Sequence, residues 1–394
     1  MRSISIFGVT GSIGENTFDL IMRGGGPAAY RTVALTGARN IKRLAEMARA
    51  LDAEIAVTAH EECLPDLRDA LAGSGIACAA GQGAIAEAAD RPADWVMSAI
   101  VGAAGLVPGM QALRHGGTLA LANKESLVTA GPLLMATAAK YGATLLPVDS
   151  EHSAVFQALL GEEKAAVERV IITASGGPFR NFTLDQMRAI TLAQAVAHPN
   201  WSMGQRISID SASMFNKALE LIETREFFDF APNQIEVIVH PQSIIHALIG
   251  FCDGGIMAHL GPADMRHAIG FALHWPRRGP VPVERLNLAR IAALNFEAPD
   301  ETRFPALRLA RDVMETRGLS GAAFNAAKEI ALDHFIGGNL PFLAMAEVVE
   351  DTLSRLSRQN SLQIAATALE DVLGMDHLAR KTAAEAVKTW QQGR

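Results

Sequence analysis

Cysteine, positive charge and uninterrupted apolar runs are all scarce in this chain, and each scarcity excludes a class of protein. The 394 residues include three scattered cysteines, too few for a disulfide framework, which favours a reducing cytoplasm. Lysine and arginine total 35 against 42 acidic residues, which leaves no basic excess for binding a nucleic acid. Gly102, Gly105 and Pro108 interrupt the apolar stretch from Trp95 to Leu113, so we expect no membrane span.

Strand-like and helical segments alternate from residue 1 to about 147, which predicts an α/β protein with a doubly wound, Rossmann-like parallel sheet. The first residues already form a strand pattern, so we expect no signal peptide. Residues 148–274 combine polar motifs with short strands, which predicts a central α+β domain. Proline and glycine then cluster in a linker at 275–299, and the helical periodicity of the alanine-rich residues 300–394 predicts a C-terminal helical bundle that acts as structural support.

The first strand, Arg2–Phe7, leads into a glycine-rich turn of the form G-x-x-G-x-x-G at residues 8–14, and a helix follows. A turn in this position lets backbone N–H groups approach a pyrophosphate at the N-terminus of the helix. The spacing is looser than the dinucleotide fingerprint G-x-G-x-x-G and is weak evidence by itself. After the second strand the chain has Arg39 where NAD sites place an acidic residue, and an arginine there favours the 2′-phosphate of NADP.

Two acidic residues, Asp149 and Glu151, follow the apolar run at 143–148. In an extended segment, side chains at positions i and i+2 point to the same side, roughly 6 to 7 Å apart, so both could converge on one ion. Glu220, on a predicted helix, would complete a set of oxygen ligands that suits Mg²⁺ or Mn²⁺. The alternative is a solvated strand end and an unrelated surface glutamate, because acid-x-acid patterns are common.

Two further segments predict a phosphate subsite. The turn Ser175–Pro178 ends a buried strand, and its glycines allow backbone N–H groups to approach an anion. Ser211 or Ser213 would N-cap a helix over 214–228. On that helix Lys217 supplies a positive point charge for a phosphate.

Asn216 and Glu220 would lie on the same helical face as Lys217, because residues three and four positions apart are neighbours on a helix. An ordinary capped helix with a Lys–Glu pair is the alternative. Lys124, at the carboxyl end of another predicted strand, could neutralise charge on a carbonyl or alkoxide oxygen. Alternatively, Lys124 and Glu125 simply form the start of a helix.

Seven ordered runs, which together extend over most of the chain, resemble the 1-deoxy-D-xylulose-5-phosphate reductoisomerase family. The runs are Gly8–Gly14, Ile100–Leu106, Leu121–Val128, Pro147–His152, Ser175–Arg180, His198–Gly204 and Ser211–Glu220. The resemblance implies an enzyme of the non-mevalonate isoprenoid pathway. Such an enzyme rearranges the sugar phosphate 1-deoxy-D-xylulose 5-phosphate and reduces the resulting aldehyde with NADPH to 2-C-methyl-D-erythritol 4-phosphate.

The resemblance also implies the residues of the site. The catalytic residues would be Lys124, Glu151 and His198. The substrate would be bound by Lys124, Ser150, Glu151, Ser175, His198, Ser211, Asn216, Lys217 and Glu220. The NADPH site would be lined by Thr10, Gly11, Ser12, Ile13, Ala38, Arg39, Asn40, Asn123, Glu125 and Gly204, with Ala38 at a position where the family often has glycine. The ligands of the metal (Mg²⁺, Mn²⁺ or Co²⁺) would be Asp149, Glu151 and Glu220.

The family pattern makes residues 1–147 the NADPH-binding domain and residues 148–274 the catalytic and dimerisation domain, ahead of the linker and the helical domain. A cytoplasmic homodimer is expected. Residues 176–204 would close over the substrate as a lid, because the aldehyde intermediate has to be kept from bulk water. Trp201 would cover the substrate, and an ordinary core tryptophan is the alternative.

Two other functions stay open at this point. Another NADP-dependent oxidoreductase, of the homoserine or semialdehyde dehydrogenase type, would share the first domain but would not need three carboxylates around a metal. A non-catalytic NADP-binding sensor would keep the glycine-rich turn but would have little use for Lys217 beside Glu220. Metal-dependent oxidation of NADPH in the presence of the sugar phosphate distinguishes all three.

Overall fold

The computed structural model describes residues 1–197, 201 and 204–392. The chain falls into two compact units. The first unit consists of Met1–Ser126, Leu134–Ser153 and Asp264–Glu284, and the second of Leu127–Leu133, Ala154–Ala263 and Arg285–Arg394. The division by function at residues 147, 274 and 299 stays a prediction, because compactness alone assigns no role to a segment.

Eleven strands form two sheets in the described part of the chain. The strands are β1 Arg2–Phe7, β2 Tyr30–Gly37, β3 Ile55–Thr58, β4 Ala77–Ala80, β5 Trp95–Ser98, β6 Thr118–Leu121, β7 Thr144–Pro147, β8 Val167–Ala174, β9 Ile235–Val239, β10 Ile245–Phe251 and β11 Ile256–Leu260. The first sheet has the order β4-β3-β2-β1-β5-β6-β7, and all its neighbouring strands are parallel. The second has the order β11-β10-β8-β9 and is mixed.

The α-helices of the same residues follow the strands in regular alternation in the first half of the chain and dominate the second half. They are α1 Ser12–Arg23, α2 Ile41–Ala50, α3 Leu64–Ala70, α4 Gly81–Ala89, α5 Leu106–Leu113, α6 Lys124–Tyr141, α7 Ser150–Ala158, α8 Leu184–Met187, α9 Leu192–Ala195, α10 Gln205–Ala212, α11 Phe215–Phe228, α12 Arg266–His274, α13 Leu288–Ile291, α14 Ala306–Thr316, α15 Ser320–Ile336, α16 Ala344–Ser357 and α17 Leu369–Gln392. Among the described residues, none of these helices combines the length and the apolar character that a membrane span requires.

The first sheet is the doubly wound parallel sheet that the sequence predicts, so the fold class is confirmed. The chain builds outward from β1 to β4 and then returns to place β5 on the other side of β1. This reversal creates a topological switch point between β1 and β5, and sheets of this type bind ligands at the carboxyl ends of the strands there. The glycine-rich turn follows β1 at that end of the sheet.

Two glycines allow this turn to pack tightly. Gly8 has a φ of +86°, and a Cβ atom at this position would lie 2.5 Å from the carbonyl oxygen of Ala99. Gly14 lies in the first turn of α1, where a Cβ atom would lie 2.4 Å from the carbonyl oxygens of Gly8 and Val9. Because neither position has space for a side chain, α1 begins directly against the turn, with its N-terminal N–H groups beside the end of β1.

Helix α12 packs with the parallel sheet although it comes late in the chain. The indole N–H of Trp95 on β5 donates a hydrogen bond to the carbonyl oxygen of Ala272 at 3.1 Å. The guanidinium of Arg2 donates to the neighbouring carbonyl oxygen of Leu273. Residues 264–284 therefore complete the first unit.

The second unit surrounds its mixed sheet with helices that share one apolar core. Phe179, which follows β8, stacks edge-on against Phe342, and Phe335 of α15 contacts the same ring at a centroid distance of 5.8 Å. Helix α15 is buried along most of its length, including the polar residues Asn325 and Lys328. The C-terminal helical region that the sequence predicts is thus a central part of this unit's core.

We expect Gly14→Ala to destabilise the protein, because the new methyl group would overlap two carbonyl oxygens, and overpacking of this kind costs about 1–3 kcal/mol. Gly83→Ala is the matched control. Gly83 lies in helix α4 with nothing near its would-be Cβ atom, so alanine should stabilise the helix by about 0.5–1 kcal/mol. Thermal unfolding of both variants checks the prediction, and a melting temperature of Gly14→Ala equal to that of the wild type would contradict it.

Candidate active site

Asp149 and Glu151 lie at the start of a helix and not on an extended strand end, so that prediction is wrong. Strand β7 ends at Pro147, and α7 begins at Ser150. The Asp149 carboxylate accepts a hydrogen bond from the backbone N–H of Glu151 at 3.2 Å. Its carbonyl oxygen accepts the N–H of Ser153 at 2.9 Å, as the first bond of the helix. An aspartate that bonds to N–H groups of the first turn is a helix N-cap, and this cap holds both carboxylates at the helix start.

The two carboxylates converge with Glu220. One oxygen atom from each of Asp149, Glu151 and Glu220 lies within 4.8 Å of the other two. Glu220, on α11, is fully buried, whereas Asp149 and Glu151 are partly exposed. Three carboxylate oxygens at this spacing suit a hard divalent cation such as Mg²⁺ or Mn²⁺.

Lysines pair with two of the three carboxylates. The Nζ of Lys124, the first residue of α6, donates to Oδ2 of Asp149. The Nζ of Lys217 donates to Oε2 of Glu220. The group thus places two basic side chains beside three acidic ones. Because charges interact strongly where water is excluded, the lysines offset the repulsion between the acids.

Smaller polar groups complete the surroundings of the carboxylates. The amide Nδ2 of Asn216 donates to Oε1 of Glu220 at 2.6 Å, and the hydroxyl of Ser150 donates to Glu151 at 2.5 Å. His152 also belongs to the group, because its Nδ1 lies 3.5 Å from Oδ1 of Asp149 and its ring is buried. The sequence prediction includes no role for His152. Its position three residues after Asp149 makes it a neighbour of that carboxylate only if the segment is helical, and the prediction takes the segment as extended.

The turn Ser175–Pro178 lies against the end of α10. Gly177 has a φ of +66°, and a Cβ atom there would lie 3.1 Å from Cα of Ala212 and 3.2 Å from the carbonyl oxygen of Ser211. The backbone N–H of Gly177 donates to the hydroxyl of Ser175 at 3.2 Å. The missing side chain thus lets the turn approach the segment that carries Ser211, and the two predicted parts of the phosphate subsite meet within the second unit.

Neither Ser211 nor Ser213 N-caps the helix of the site, so that prediction is also wrong. Ser211 lies within α10, and the hydroxyl of Ser213 donates backward to the carbonyl oxygen of Ile209 at 2.8 Å. The residue before α11 is Met214, which is buried and has a φ of +63°. A left-handed conformation costs a non-glycine residue about 1–3 kcal/mol, so the packing around Met214 sets the start of the helix in place of a cap.

Seven of the residues predicted for the nucleotide, Thr10 to Ile13 and Ala38 to Asn40, follow the carboxyl ends of β1 and β2. Thr10 to Ile13 form the turn and the first residues of α1, and Gly11 and Ser12 are exposed. The carbonyl oxygen of Ala38 accepts a hydrogen bond from the hydroxyl of Thr58 at 2.8 Å. Asn40 caps α2 by accepting the N–H of Arg43.

Arg39, the residue expected to favour NADP, is exposed and forms an ion pair with Glu62 at 2.9 Å. A hydrogen bond from the backbone and the neighbouring Arg39 guanidinium lower the pKa of Glu62. An exposed pair of this kind contributes little to stability. The guanidinium can therefore exchange Glu62 for a phosphate at small cost.

Asn123 has a structural role that the sequence did not reveal. Its amide Nδ2 donates to the carbonyl oxygens of Ile100 at 2.7 Å and Gly102 at 2.9 Å, and to the carboxylate of Glu125. Its Oδ1 accepts the N–H of Ser126 and caps α6. Asn123 therefore fixes the loop after β5 to the start of the helix that begins with Lys124.

The predicted lid is described in part. His198 lies outside the described residues. Gly204 precedes α10 as an exposed N-cap with no neighbour near its would-be Cβ atom. The Trp201 ring is half-buried and lies 6.3 Å from the ring of His246, which is buried on β10. The Trp201 side chain is thus partly exposed, and its role in the lid stays a prediction.

Comparison with known proteins places this geometry in a family. Family models for 1-deoxy-D-xylulose 5-phosphate reductoisomerase match residues 4–131, and models for its C-terminal domains match residues 145–228 and 260–382. The chain is 76% identical over 394 residues to the 1-deoxy-D-xylulose 5-phosphate reductoisomerase of Cereibacter sphaeroides (strain ATCC 17025), with all of both chains covered. It is 67% identical over 382 residues to that of Jannaschia sp. (strain CCS1), with 97% of each chain covered.

Solved structures agree with the sequence relatives. The reductoisomerase of Zymomonas mobilis in complex with NADPH superposes with a TM-score of 0.91 at 45% identity, covering 98% of this chain and 99% of the other. A DOX-P reductoisomerase in complex with NADPH, fosmidomycin and magnesium superposes with a TM-score of 0.95 at 37% identity, with both chains fully covered. Taken with the clustered carboxylates, these similarities show that the chain belongs to the 1-deoxy-D-xylulose 5-phosphate reductoisomerase family.

Proposed function

We propose that this chain converts 1-deoxy-D-xylulose 5-phosphate into 2-C-methyl-D-erythritol 4-phosphate with NADPH and a divalent cation. The observation that carries the proposal is the convergence of the Asp149, Glu151 and Glu220 oxygens within 4.8 Å. A homoserine or semialdehyde dehydrogenase, or an NADP-binding sensor, would have no need for this set. The high identity to reductoisomerases over the whole chain supports the same choice.

The residues present fit a cation with oxygen ligands. Asp149, Glu151 and Glu220 offer carboxylates only, which is the donor set of Mg²⁺ or Mn²⁺, and Co²⁺ tolerates it. A bound cation would polarise the carbonyl of the substrate and lower the pKa of the adjacent hydroxyl. Magnesium is present in the solved relative with fosmidomycin, which makes Mg²⁺ the first ion to test.

The lysines and small polar groups would bind the substrate. Lys124 is placed beside Asp149, where its ammonium can neutralise negative charge on an oxygen at the reacting end of the sugar. Ser150 donates to Glu151 and would orient that carboxylate toward a hydroxyl. Glu151 would hold the proton that moves during the rearrangement, and His198 would contact the substrate from the lid.

The phosphate would bind in the second unit. Ser175, on the glycine turn, and Ser211, against which the turn packs, offer hydroxyl donors from two adjacent segments. Asn216 and Lys217 lie in the first turn of α11 and donate to Glu220, one turn later. Lys217 adds the positive charge that a phosphate dianion requires.

NADPH would bind at the switch point of the parallel sheet. Its pyrophosphate would accept hydrogen bonds from the backbone of Thr10, Gly11, Ser12 and Ile13 at the start of α1. Arg39 would bind the 2′-phosphate, with Ala38 and Asn40 beside it. Asn123 and Glu125 would complete the pocket through the loop that Asn123 holds, and Gly204 would contact the cofactor from the lid. NADPH supplies the hydride that reduces the aldehyde.

We expect Glu220→Gln to abolish metal-dependent oxidation of NADPH in the presence of 1-deoxy-D-xylulose 5-phosphate and Mg²⁺. Removing a side chain that only hydrogen-bonds to a metal ligand weakens metal binding by about 10–100-fold. Loss of a ligand carboxylate itself should weaken it by more. NADPH binding, followed by fluorescence, should be unchanged, because Glu220 is not among the residues proposed to line the nucleotide site. Wild-type turnover that does not require a metal would refute the proposed function.

We expect Trp201→Ala to lower kcat by about tenfold while Mn²⁺ affinity stays unchanged, because a lid residue excludes water without ligating the ion. Trp390→Ala is the matched control, since Trp390 lies on the last helix and bonds to Glu347. Steady-state kinetics and a Mn²⁺ titration test both variants. Equal kcat values for Trp201→Ala and the wild type would show that Trp201 does not act as a lid residue.

A cytoplasmic homodimer is part of the proposal. Cys63, Cys78 and Cys252 are free thiols, as in proteins of a reducing compartment. Strand β11 is an edge of the mixed sheet and exposes Ile256 and Met257 at 53% and 40%. An exposed apolar edge strand is prone to associate, and a two-fold related copy is the simplest partner that covers it.

We expect Ile256→Asp to convert the dimer into a monomer, since it would bury a charge at the centre of a β11 interface. The matched control is Leu288→Asp, at an apolar position outside β11 that is 60% exposed. Light scattering coupled to gel filtration gives the mass of each variant. A dimeric Ile256→Asp variant would place the interface elsewhere.

A further inference from the structure

A buried ion pair connects helix α15 to the helix that carries Ser211. The Nζ of Lys328 donates to Oδ2 of Asp210, on α10, at 2.9 Å. Both side chains are almost inaccessible, at 3% and 7% exposure. Removing two charges from water is costly, and a buried pair is often no more stabilising than apolar residues of the same volume. The position of the pair is therefore more informative than its contribution to stability.

Helix α15 contacts both sides of the bend between α10 and α11. Lys328 bonds to Asp210 near the end of α10, and Phe324, one turn earlier on α15, lies with its ring 5.9 Å from Phe215, the first residue of α11. Between them is Met214, buried in its left-handed conformation. No side chain caps α11, so α15 is an element that fixes how the two helices meet.

The bend carries the residues that the proposed function assigns to the substrate phosphate. Ser211 directly follows Asp210, and Asn216 and Lys217 directly follow Phe215. A buried carboxylate one residue from an anion subsite would repel the anion, because charges in the interior are weakly screened. The Lys328 ammonium neutralises this carboxylate from the side of α15.

We propose that Lys328 is a positioning residue for the substrate phosphate, which acts by neutralising Asp210 and holding the end of α10 against α15. The inference rests on the proposed function and extends the site into the C-terminal helices. Lys328 itself would not contact the substrate. Its effect is therefore expected on the binding of phosphate-bearing ligands and not on the chemical step.

The test compares the kinetics of variants in the full chain with saturating NADPH and Mg²⁺. We expect Lys328→Met to raise KM for 1-deoxy-D-xylulose 5-phosphate by about tenfold or more while kcat stays within about threefold, the pattern of lost ground-state binding. Lys328→Gln, which keeps a hydrogen-bond donor but no charge, should change KM in the same direction and is the second variant should Lys328→Met not fold. Lys328→Met/Asp210→Asn should recover a KM within about threefold of the wild type, because residue 210 would then carry no charge beside the phosphate residues.

Arg380→Met is the matched control, because it breaks a different ion pair of α15. Arg380, on α17, donates to Glu329 at 2.5 Å and pairs with Asp376 on its own helix. It should lower the melting temperature without raising KM. An unchanged KM in the Lys328 variants, an equal rise in Arg380→Met, or no recovery in the double variant would each overturn the inference.

A second readout separates this inference from the proposed function. Inorganic phosphate binding, measured by calorimetry, should be weaker in Lys328→Met than in the wild type by about tenfold. An inactive wild type that still shows this difference would refute the reaction and leave the role of Lys328 standing. An active wild type with equal phosphate affinity in both proteins would refute the role of Lys328 alone.

Discussion

Mutual repulsion of three carboxylates is the constraint that organises the candidate site. Oxygens of Asp149, Glu151 and Glu220 lie within 4.8 Å of one another, and Glu220 has no access to water. Such a group is stable only if positive charge accompanies it, and Lys124 and Lys217 provide it from two helices. The same lysines are the cations proposed for the substrate. In the proposed function, a bound divalent ion would balance the carboxylates, and the ammonium groups would then be available to the oxygens of the sugar phosphate.

At both proposed anion sites, the backbone packs closely because glycine has no side chain. In the nucleotide turn, Gly8 and Gly14 leave space that a Cβ atom would fill, so the start of α1 closes onto the end of β1. In the phosphate turn, the positive φ and the missing side chain of Gly177 let the backbone approach Ser211. The close packing brings the backbone of both turns to the positions that the proposed function assigns to phosphate groups. In this proposal, local backbone geometry would allow a chain with a net charge of −7 to bind two phosphorylated ligands.

Much of the fold could be predicted from the sequence, because periodicity and short motifs are local signals. The parallel character of the first sheet followed from the alternation of strands and helices, whereas the order of its strands did not. The acidic residue types indicated Asp149, Glu151 and Glu220, whose oxygens converge, and their role as metal ligands stays a prediction. The errors concern details that tertiary packing decides. Asp149 caps a helix because the chain turns after Pro147, and the strand pattern alone gave no sign of this. The strained Met214 takes the place of the predicted serine cap for a similar reason.

The pairing of Lys328 with Asp210 illustrates a different limit, because the two residues are 118 positions apart and neither belongs to a motif. From the sequence, the C-terminal helices have no chemistry of their own and suggest structural support. In the structure, their apolar residues share one core with the helix of the site, including Phe215 and Phe324. A buried lysine in such a core requires a specific acid nearby, since an unpaired charge would be strongly destabilising. The acid that pairs with Lys328 is Asp210, which is next to the residues proposed for the phosphate. In our proposal, the helix that supports the core therefore also neutralises a negative charge beside the site.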